Sequence, residues 1–277
     1  MHQLDLTWGS ASHRGQRTEN QDRFLAEPPV FAVADGMGGH ASGAEASAAV
    51  ISRLKDAATG QTVEVDALRA AMQHADADIR QIGRVAHQAD GAGTTVAGVA
   101  LIESGGGLYW AAFHVGDSRI YRWSANRWER MSNDHSVVQE LVDGGVITAE
   151  QALTHPERHM ITRALGIGSG SEADYSLLPA DGGQRFLICS DGLTSVLREE
   201  RIAELMTGDD AASAIAEELV AQAVAEGARD NVTAVVVHVR GGGRPDAAVA
   251  EDPDSLDEIT VPRLAGPSGP SEAGSQA

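Results

Sequence analysis

Five aspartates stand at or near the ends of apolar, β-rich runs, where their carboxylates could face one cleft. Asp35 follows the apolar run 30–34, and Asp191 follows the run 186–190. In both cases a glycine comes next, which lets the backbone bend away and directs a carboxylate and a backbone carbonyl to one side. The full set is Asp22, Asp35, Asp117, Asp191 and Asp230.

This set of acids has the chemistry of a site for hard divalent cations. Such cations prefer carboxylate and carbonyl oxygens as ligands. Several carboxylates crowded together without a cation would repel one another and raise each other's pKa. A single Asp is most simply a turn former or a helix cap. The five together favour a metal centre.

Three other motifs could bind phosphate or metal, although each has a simpler structural interpretation. Arg17 stands in a polar loop, where its guanidinium could grip phosphate oxygens or simply be solvated. The string ADGMGGH, residues 34–40, resembles a phosphate-binding glycine loop but has no partner motif. His155 and His159 have the spacing of a helical zinc site without the His-Glu-x-x-His pattern.

The composition excludes several classes of function. The 277 residues carry 40 acidic and 21 basic side chains, a net charge of -19, and so acidic a surface repels nucleic-acid backbones. Lys55, the only lysine, follows no glycine, so there is no Walker A loop. Cys189 is the only cysteine, and Ser195 stands where a cysteine-type phosphatase needs an arginine. No apolar run approaches the roughly 20 residues that span a bilayer, and we expect a cytoplasmic protein without a membrane span.

The periodicity of the apolar residues predicts paired strands and separate helices. The predicted strands cover residues 94–102, 107–115, 119–123, 184–189 and 232–239, and the predicted helices cover 41–58, 65–89, 136–143 and 211–225. Tight glycine-rich connections, such as residues 103–107, favour antiparallel sheets with helices on their outer faces. Residues 241–277 are acidic and rich in Gly and Pro, which predicts a disordered tail after a domain of residues 1–240.

Taken together, seven strings resemble the metal-dependent serine/threonine protein phosphatases of type 2C in their bacterial form. They occur in the family's order over residues 7–240, and they are RTENQD, FAVADGMGGHASGAEAS, GAGTTVAGV, FHVGDSRIYR, HPERHMITRALG, LICSDGLT and RDNVTAVVV. The resemblance implies an α+β fold in which a central β-sandwich of two antiparallel sheets is flanked by helices on both faces, a four-layer αββα arrangement. Residues 132–165 match the flap segment beside the family's active site.

The resemblance also implies roles for the acids. Asp35, Asp191 and Asp230, with the carbonyl of Gly36, match the ligands of two Mn²⁺ or Mg²⁺ ions, and Asp22 matches an acid beside them. Asp117 and Asp191 match the ligands of a weaker third metal site. Arg17 matches the arginine that binds the substrate phosphate. Water bridging the two ions has a lowered pKa, so it can attack phosphorus as hydroxide without a protein base.

Two departures from the family pattern bear on catalysis. Gln21 stands where many members have Glu, and Met37 stands where the animal and plant branch has a histidine proposed as the general acid. A thioether donates no proton, so the leaving group must be protonated by His40, by a water on the third metal, or not at all.

The expected activity is removal of phosphate from phosphoserine and phosphothreonine in proteins, with a Ser/Thr protein kinase and its targets as partners. Two alternatives stay open: a catalytically weak scaffold that binds phosphopeptides through Arg17, and a two-metal hydrolase of small phosphoesters. We expect a monomer that binds no nucleic acid.

Overall fold

The computed structural model describes residues 4–38, 42–85, 91–168 and 172–242. The chain divides into one compact unit, Met1–Pro245, and a second unit, Asp246–Ala277, which lies outside the described residues. The predicted tail, residues 241–277, therefore lies outside them except for its first two residues. In the part of the chain that is described, no helix combines the length and the apolar character needed to cross a bilayer.

Eleven strands of the described residues form two antiparallel sheets. The first sheet has five strands in the order β1 (Asp5–His13), β11 (Val232–Gly241), β10 (Arg185–Cys189), β7 (Arg119–Ser124) and β8 (Arg127–Arg130). The second has the order β2 (Asp22–Glu27), β3 (Val30–Met37), β5 (Val96–Ser104), β6 (Gly107–Val115) and β9 (Asp174–Pro179), with the short β4 (Gly93–Thr94) paired to β3. Strands β5 and β6 form a hairpin whose turn residues, Gly105 and Gly106, have φ of 57° and 79°.

Helices cover the outer face of each sheet. Helices α1 (Ser42–Ala57) and α2 (Val65–Val85) pack on the second sheet, and α5 (Asp191–Thr194), α6 (Glu199–Thr207) and α7 (Ala212–Ala225) pack on the first. Two short helices, α3 (Val137–Asp143) and α4 (Ala149–Ala152), lie in the connection between β8 and β9 and bury no residue fully. This connection contains the predicted flap.

The alternation of side chains along the strands produces the layers. In β11, Val235 and Val237 point into the core between the sheets, whereas Ala234 and Val236 contact the helices. In β3, Phe31 and Val33 point inward, and Ala32 and Ala34 face α1 and α2. Trp110 and Phe186 meet in the central layer with ring centroids 5.3 Å apart. The predicted four-layer α+β sandwich is confirmed.

The sequence pattern located the central strands better than the edge strands. All five predicted strands and four predicted helices are present, with bounds that differ by a few residues and with the end of the predicted helix 65–89 outside the described residues. Strands β1, β2, β8 and β9 and helices α4, α5 and α6 were missed. The edge strand β1 has the sequence DLTWGSASH, whose Ser and Gly residues are typical of loops, and only pairing with β11 makes it a strand. His155 and His159 lie in turns rather than on a helix.

Candidate active site

A cavity of about 420 Å³ opens where strands of both sheets end. Strand β3 delivers Asp35 and Gly36, the β6–β7 connection delivers Asp117, and the end of β10 and the start of β11 deliver Asp191 and Asp230. Antiparallel pairing brings the end of β10 next to the start of β11, so residues distant in sequence meet at this edge. The predicted residues in the cavity wall are Arg17, Asp35, Gly36, Asp117, Asp191 and Asp230.

Asp22 lies in the wall behind this group. It pairs with Asp35 in the register of β2 and β3 and is 3% exposed. Ser190 Oγ donates to Asp22 Oδ2 at 2.8 Å. The other oxygen, Asp22 Oδ1, is buried and has no hydrogen-bond donor among the described residues, and the same holds for Asp191 Oδ1. Two orphaned carboxylate oxygens at one site suit a cation.

The electrostatics of the cleft suit a cation as well. Burial, followed by repulsion from Asp191, raises the pKa of Asp117 to about 8. Burial raises the pKa of Asp22 to about 6. Asp35 has its pKa raised well above the usual range by burial and by the charges of Asp22, Asp191 and Asp117, and Asp191 shifts in the same direction through burial and Asp230. Such carboxyls need protons or cations, so the residues present fit a metal centre.

The backbone around Asp35 is held from two sides. Thr94 Oγ1 and Thr95 N–H donate to the carbonyl oxygen of Asp35 at 2.8 and 2.9 Å, and Asp35 N–H donates to Thr95 Oγ1 at 3.1 Å. A Cβ atom on Gly36 would lie 2.0 Å from the carbonyl oxygen of Gly43, near the start of α1. Only glycine permits this approach, which brings the end of β3 against α1.

Arg17 and Asp230 form a two-point ion pair at the cavity mouth. Arg17 Nε donates to Asp230 Oδ1 at 3.0 Å, and Arg17 Nη2 donates to Oδ2 at 2.6 Å. The hydrogen bond to Asp230 raises the pKa of Arg17. Asn231 ties the Arg17 loop to β11, because its Nδ2 donates to the carbonyls of Arg14 and Glu19 at 3.0 and 2.9 Å. The sequence predicted both charged residues but not their contact.

The flap adds residues that the sequence analysis did not assign to the site. His159 and Ile161 line the cavity, together with Thr95 and Asn231. His159 belongs to HPERH, which the sequence analysis weighed as a zinc motif and matched to the flap, without giving this histidine a role in the site. Gln21 and Met37, the two departures from the family pattern, also line the cavity. His40 lies outside the described residues.

A separate group of potential metal ligands lies on the flap side. His114, His135 and Asp174 have ligand atoms within 4.8 Å of one another, the one such trio of His, Cys, Asp and Glu among the described residues. Arg163 Nη1 already occupies this space, 2.9 Å from Asp174 Oδ1 and 2.8 Å from His135 Nε2. His114 Nε2 is engaged with the carbonyl of Asn133 at 2.8 Å. The guanidinium supplies the positive charge here, so the acid cleft is the candidate metal centre.

Comparison with known proteins agrees with this geometry. The family model described as protein phosphatase 2C matches residues 10–234. The serine/threonine protein phosphatase PstP of Mycobacterium tuberculosis is 35% identical over 270 residues, covering 95% of this chain and 51% of that protein. This chain thus spans about half the length of that relative. The serine/threonine phosphatase stp of Listeria monocytogenes is 32% identical over 225 residues, covering 79% of this chain and 86% of that protein.

Comparison with a solved structure shows that the similarity extends to the fold. The catalytic domain of PstP, in complex with two manganese ions, superimposes with a TM-score of 0.77 at 33% identity, covering 86% of this chain and 100% of that one. The family match covers most of the chain, and the sandwich is the fold that the seven sequence strings predict. The chain belongs to the protein phosphatase 2C family.

Proposed function

We propose that this chain is a metal-dependent phosphatase that hydrolyses phosphoserine and phosphothreonine in proteins, with residues 1–240 as its catalytic domain. The observation that carries the proposal is the convergence of four acids and Arg17 on one cavity. The PstP catalytic domain, at 33% identity, binds two manganese ions. Two Mn²⁺ or Mg²⁺ ions are the corresponding cofactors here.

Each acid has a proposed role. The two ions are held by Asp35, Asp191 and Asp230, together with the carbonyl of Gly36. Asp22 supports this group of ligands through the hydrogen bond that it accepts from Ser190, the residue before Asp191. Asp117 and Asp191 hold a third, weaker ion. The bound ions supply hydroxide near neutral pH by lowering the pKa of coordinated water.

Arg17 binds the phosphate group of the substrate. Its side chain is 61% exposed at the cavity mouth, and the contact with Asp230 holds the guanidinium beside the acids. Asp230 takes one N–H each of Nε and Nη2, and the edge formed by Nη1 and Nη2 offers two further N–H donors. These match two phosphate oxygens and neutralise the charge that grows on them in the transition state. His40 remains the proposed proton donor to the leaving serine or threonine oxygen.

A metal-dependent assay with a matched acid variant tests this function. We expect hydrolysis of p-nitrophenyl phosphate and of a phosphothreonine peptide with Mn²⁺, none with EDTA, and a loss of at least about 100-fold in Asp191→Ala. Asp209→Ala is the control, because Asp209 is an exposed acid outside the cavity. Turnover in EDTA, or full activity of Asp191→Ala, would refute the proposal.

The same assay separates the two alternatives. Phosphopeptide binding without turnover at saturating Mn²⁺ would favour the scaffold, for which Gln21 and Met37 in the cavity wall are the motivating residues. Faster hydrolysis of a nucleotide than of the phosphopeptide would favour a small-molecule hydrolase. We further propose a cytoplasmic monomer that opposes a Ser/Thr protein kinase, with size-exclusion chromatography as the test of its oligomeric state.

A further inference from the structure

Two hydrogen bonds join His135 to Gly116, the residue before Asp117. Its ring nitrogen Nδ1 accepts a hydrogen bond from Gly116 N–H at 3.0 Å. Its own backbone N–H donates to the carbonyl oxygen of Gly116 at 2.9 Å. His135 stands at the start of the flap and is 8% exposed. One buried residue therefore holds both backbone groups of the residue before Asp117.

The protonation of the imidazole follows from its partners. A backbone N–H can only donate, so Nδ1 must be the unprotonated nitrogen and the proton of the neutral ring lies on Nε2. Nε2 lies 3.1 Å from Asp174 Oδ2, a carboxylate oxygen that can only accept, and 2.8 Å from Arg163 Nη1. Arg163 Nη1 donates to the other oxygen of Asp174 at 2.9 Å. Asp174 thus selects the tautomer that leaves Nδ1 free to accept from Gly116.

The loop held by His135 has little freedom elsewhere. Gly116 has φ of 100°, and a Cβ atom there would lie 2.6 Å from Thr95 Cγ2. Beyond Asp117, the hydroxyls of Ser118 and Thr95 are 2.7 Å apart. Arg119 then donates to both carboxylate oxygens of Asp134, at 3.0 Å from Nε and 2.6 Å from Nη2. Asp117 lies between these fixed points and lines the cavity.

We propose that His135 is a positioning residue for Asp117, acting through the hydrogen bond between Gly116 N–H and Nδ1 in a tautomer set by Asp174. Groups in the outer shell of a metal site commonly orient, by hydrogen bonds, the groups that touch the ion, as when a carboxylate holds a ligating histidine. Here the histidine orients a ligand loop rather than ligating metal. The consequence for metal binding rests on the proposed role of Asp117, whereas the ordering of the loop does not.

Two substitutions at His135 separate its two nitrogens. In His135→Asn the side-chain oxygen can take the position of Nδ1 and still accept from Gly116. In His135→Gln the amide reaches the position of Nε2, keeping the contact with Asp174 and losing the one with Gly116. A residue that only fills space would be better replaced by Gln, which is closer to His in volume. The positioning role predicts instead that Asn at position 135 preserves the order of the Asp117 loop better than Gln does.

The first measurement is hydrogen exchange of the Gly116 amide in the metal-free full chain. We expect exchange at least about tenfold faster in His135→Gln, and near-native protection in His135→Asn. The ¹⁵N spectrum of the His135 ring should show Nδ1 as the unprotonated nitrogen. His114→Gln is the control, because His114 stacks on His135 at 4.7 Å and is also buried but bonds Asn133 instead. Equal exchange in the Asn and Gln variants, or a protonated Nδ1, would overturn the proposal.

The second measurement is calorimetric titration with Mn²⁺, using Asp117→Ala as the reference. We expect His135→Gln to weaken the site that Asp117→Ala removes by about tenfold or more and to leave the tighter sites unchanged. If Asp117→Ala does not alter Mn²⁺ binding, the metal role of Asp117 fails while the exchange result still decides the positioning role. If Asp117→Ala removes a site that His135→Gln leaves intact, the positioning role has no effect on metal and that part of the proposal is wrong.

Discussion

At the level of single residues, the contact between Arg17 and Asp230 joins two functions that the sequence treats separately. One residue is the proposed phosphate ligand and the other a proposed metal ligand. Their two-point contact fixes the guanidinium beside the acid cleft, and the exposed faces of Arg17 stay open to a substrate. The arginine therefore needs no large rearrangement to meet a phosphate near the metal centre.

Replacing Arg17 should weaken substrate use more than metal binding. Loss of a charged hydrogen-bonding pair is worth about 1.5–3 kcal/mol, so kcat/KM for a phosphopeptide should fall about 10- to 100-fold in Arg17→Ala. Arg17→Lys keeps the charge but not the planar fork and should recover only part of the loss. Steady-state kinetics at saturating Mn²⁺ measure both effects, and unchanged kcat/KM in Arg17→Ala would exclude a role in phosphate binding.

The sequence predicted the acids of the site because their type and position at strand ends carry the information. It did not predict which of them meet Arg17, that His159 lines the cleft, or that His135 bonds Gly116 beside Asp117. Both histidines come from the flap, whose position depends on contacts such as Thr162 N–H to the carbonyl of His135 at 2.8 Å. Contacts between residues distant in sequence leave no local pattern.

At the level of elements, the junction of β3 with α1 is a close backbone contact that constrains the site. The carbonyl oxygen of Gly43 would lie 2.0 Å from a Cβ at Gly36, and neither this backbone oxygen nor a Cβ atom can rotate away. Gly36→Ala must therefore separate the strand from the helix. We expect a loss of about 2–3 kcal/mol of unfolding free energy in EDTA, measured by urea denaturation.

Gly60→Ala is the matched control for this prediction. The nearest heavy atom to a Cβ at Gly60 is the carbonyl oxygen of Thr62 at 3.5 Å, an ordinary contact. Its unfolding free energy should stay within about 0.5 kcal/mol of the native value. Equal stability of the two variants would show that β3 and α1 are not in the close contact described.

Strand β11 contains a titratable group that makes stability depend on pH. His238 is 4% exposed, and its Nε2 has no hydrogen-bond partner among the described residues. Burial, with the charges of Arg185 and Arg240, lowers the pKa of His238 to about 4 from its usual 6.5. Between these values the unfolded chain binds a proton that the folded chain excludes, so stability falls as pH falls from 6.5 toward 4.

Replacement of His238 by a residue that does not titrate should remove this part of the acid sensitivity. From pH 7 to pH 5 the native chain should lose about 2 kcal/mol more than His238→Gln, as measured by urea denaturation at both pH values. His74→Gln, whose parent histidine lies exposed on α2, serves as the control and should behave like the native chain. Parallel pH dependence in native chain and His238→Gln would contradict the lowered pKa.

The elements themselves were predictable where their side chains are buried on one face or on both. Strand β11 is a nearly continuous apolar run, interrupted by Thr233 and His238, because both of its faces are covered, and its position was predicted to within two residues. The flap helices α3 and α4 bury nothing fully, and only their caps support them locally, such as Thr148 with Gln151. Amphipathic spacing therefore carries little signal there, which explains why α4 was missed.

At the level of the whole molecule, the crowded acids of the cleft favour metal binding but lower the stability of the metal-free fold. The chain has a net charge of -19, so its overall field attracts cations and opposes the burial of further negative charge. The metal-free fold nevertheless holds Asp22, Asp35, Asp117 and Asp191 together with raised pKa values. Sites of this kind are less stable than the rest of the fold until their ligand binds.

Neutralising Asp117 should therefore stabilise the metal-free protein while reducing its response to metal. The pKa of Asp117 is about 8 in the folded chain against 3.8 in the unfolded chain. The contribution of Asp117 to stability is therefore most favourable below pH 4, where both states are protonated, and it is lost as the pH rises through 8. At pH 8 in EDTA, Asp117→Asn should be more stable than the native chain by about 2 kcal/mol, or about 4–8 °C in Tm. At pH 5 the difference should shrink, because Asp117 is already protonated in the folded chain.

Added Mn²⁺ should raise the Tm of the native chain more than that of Asp117→Asn. Asp209→Asn, at an exposed acid, should change neither value. A lower metal-free Tm for Asp117→Asn at pH 8 would mean that Asp117 stabilises the empty cleft, and the raised pKa would be wrong.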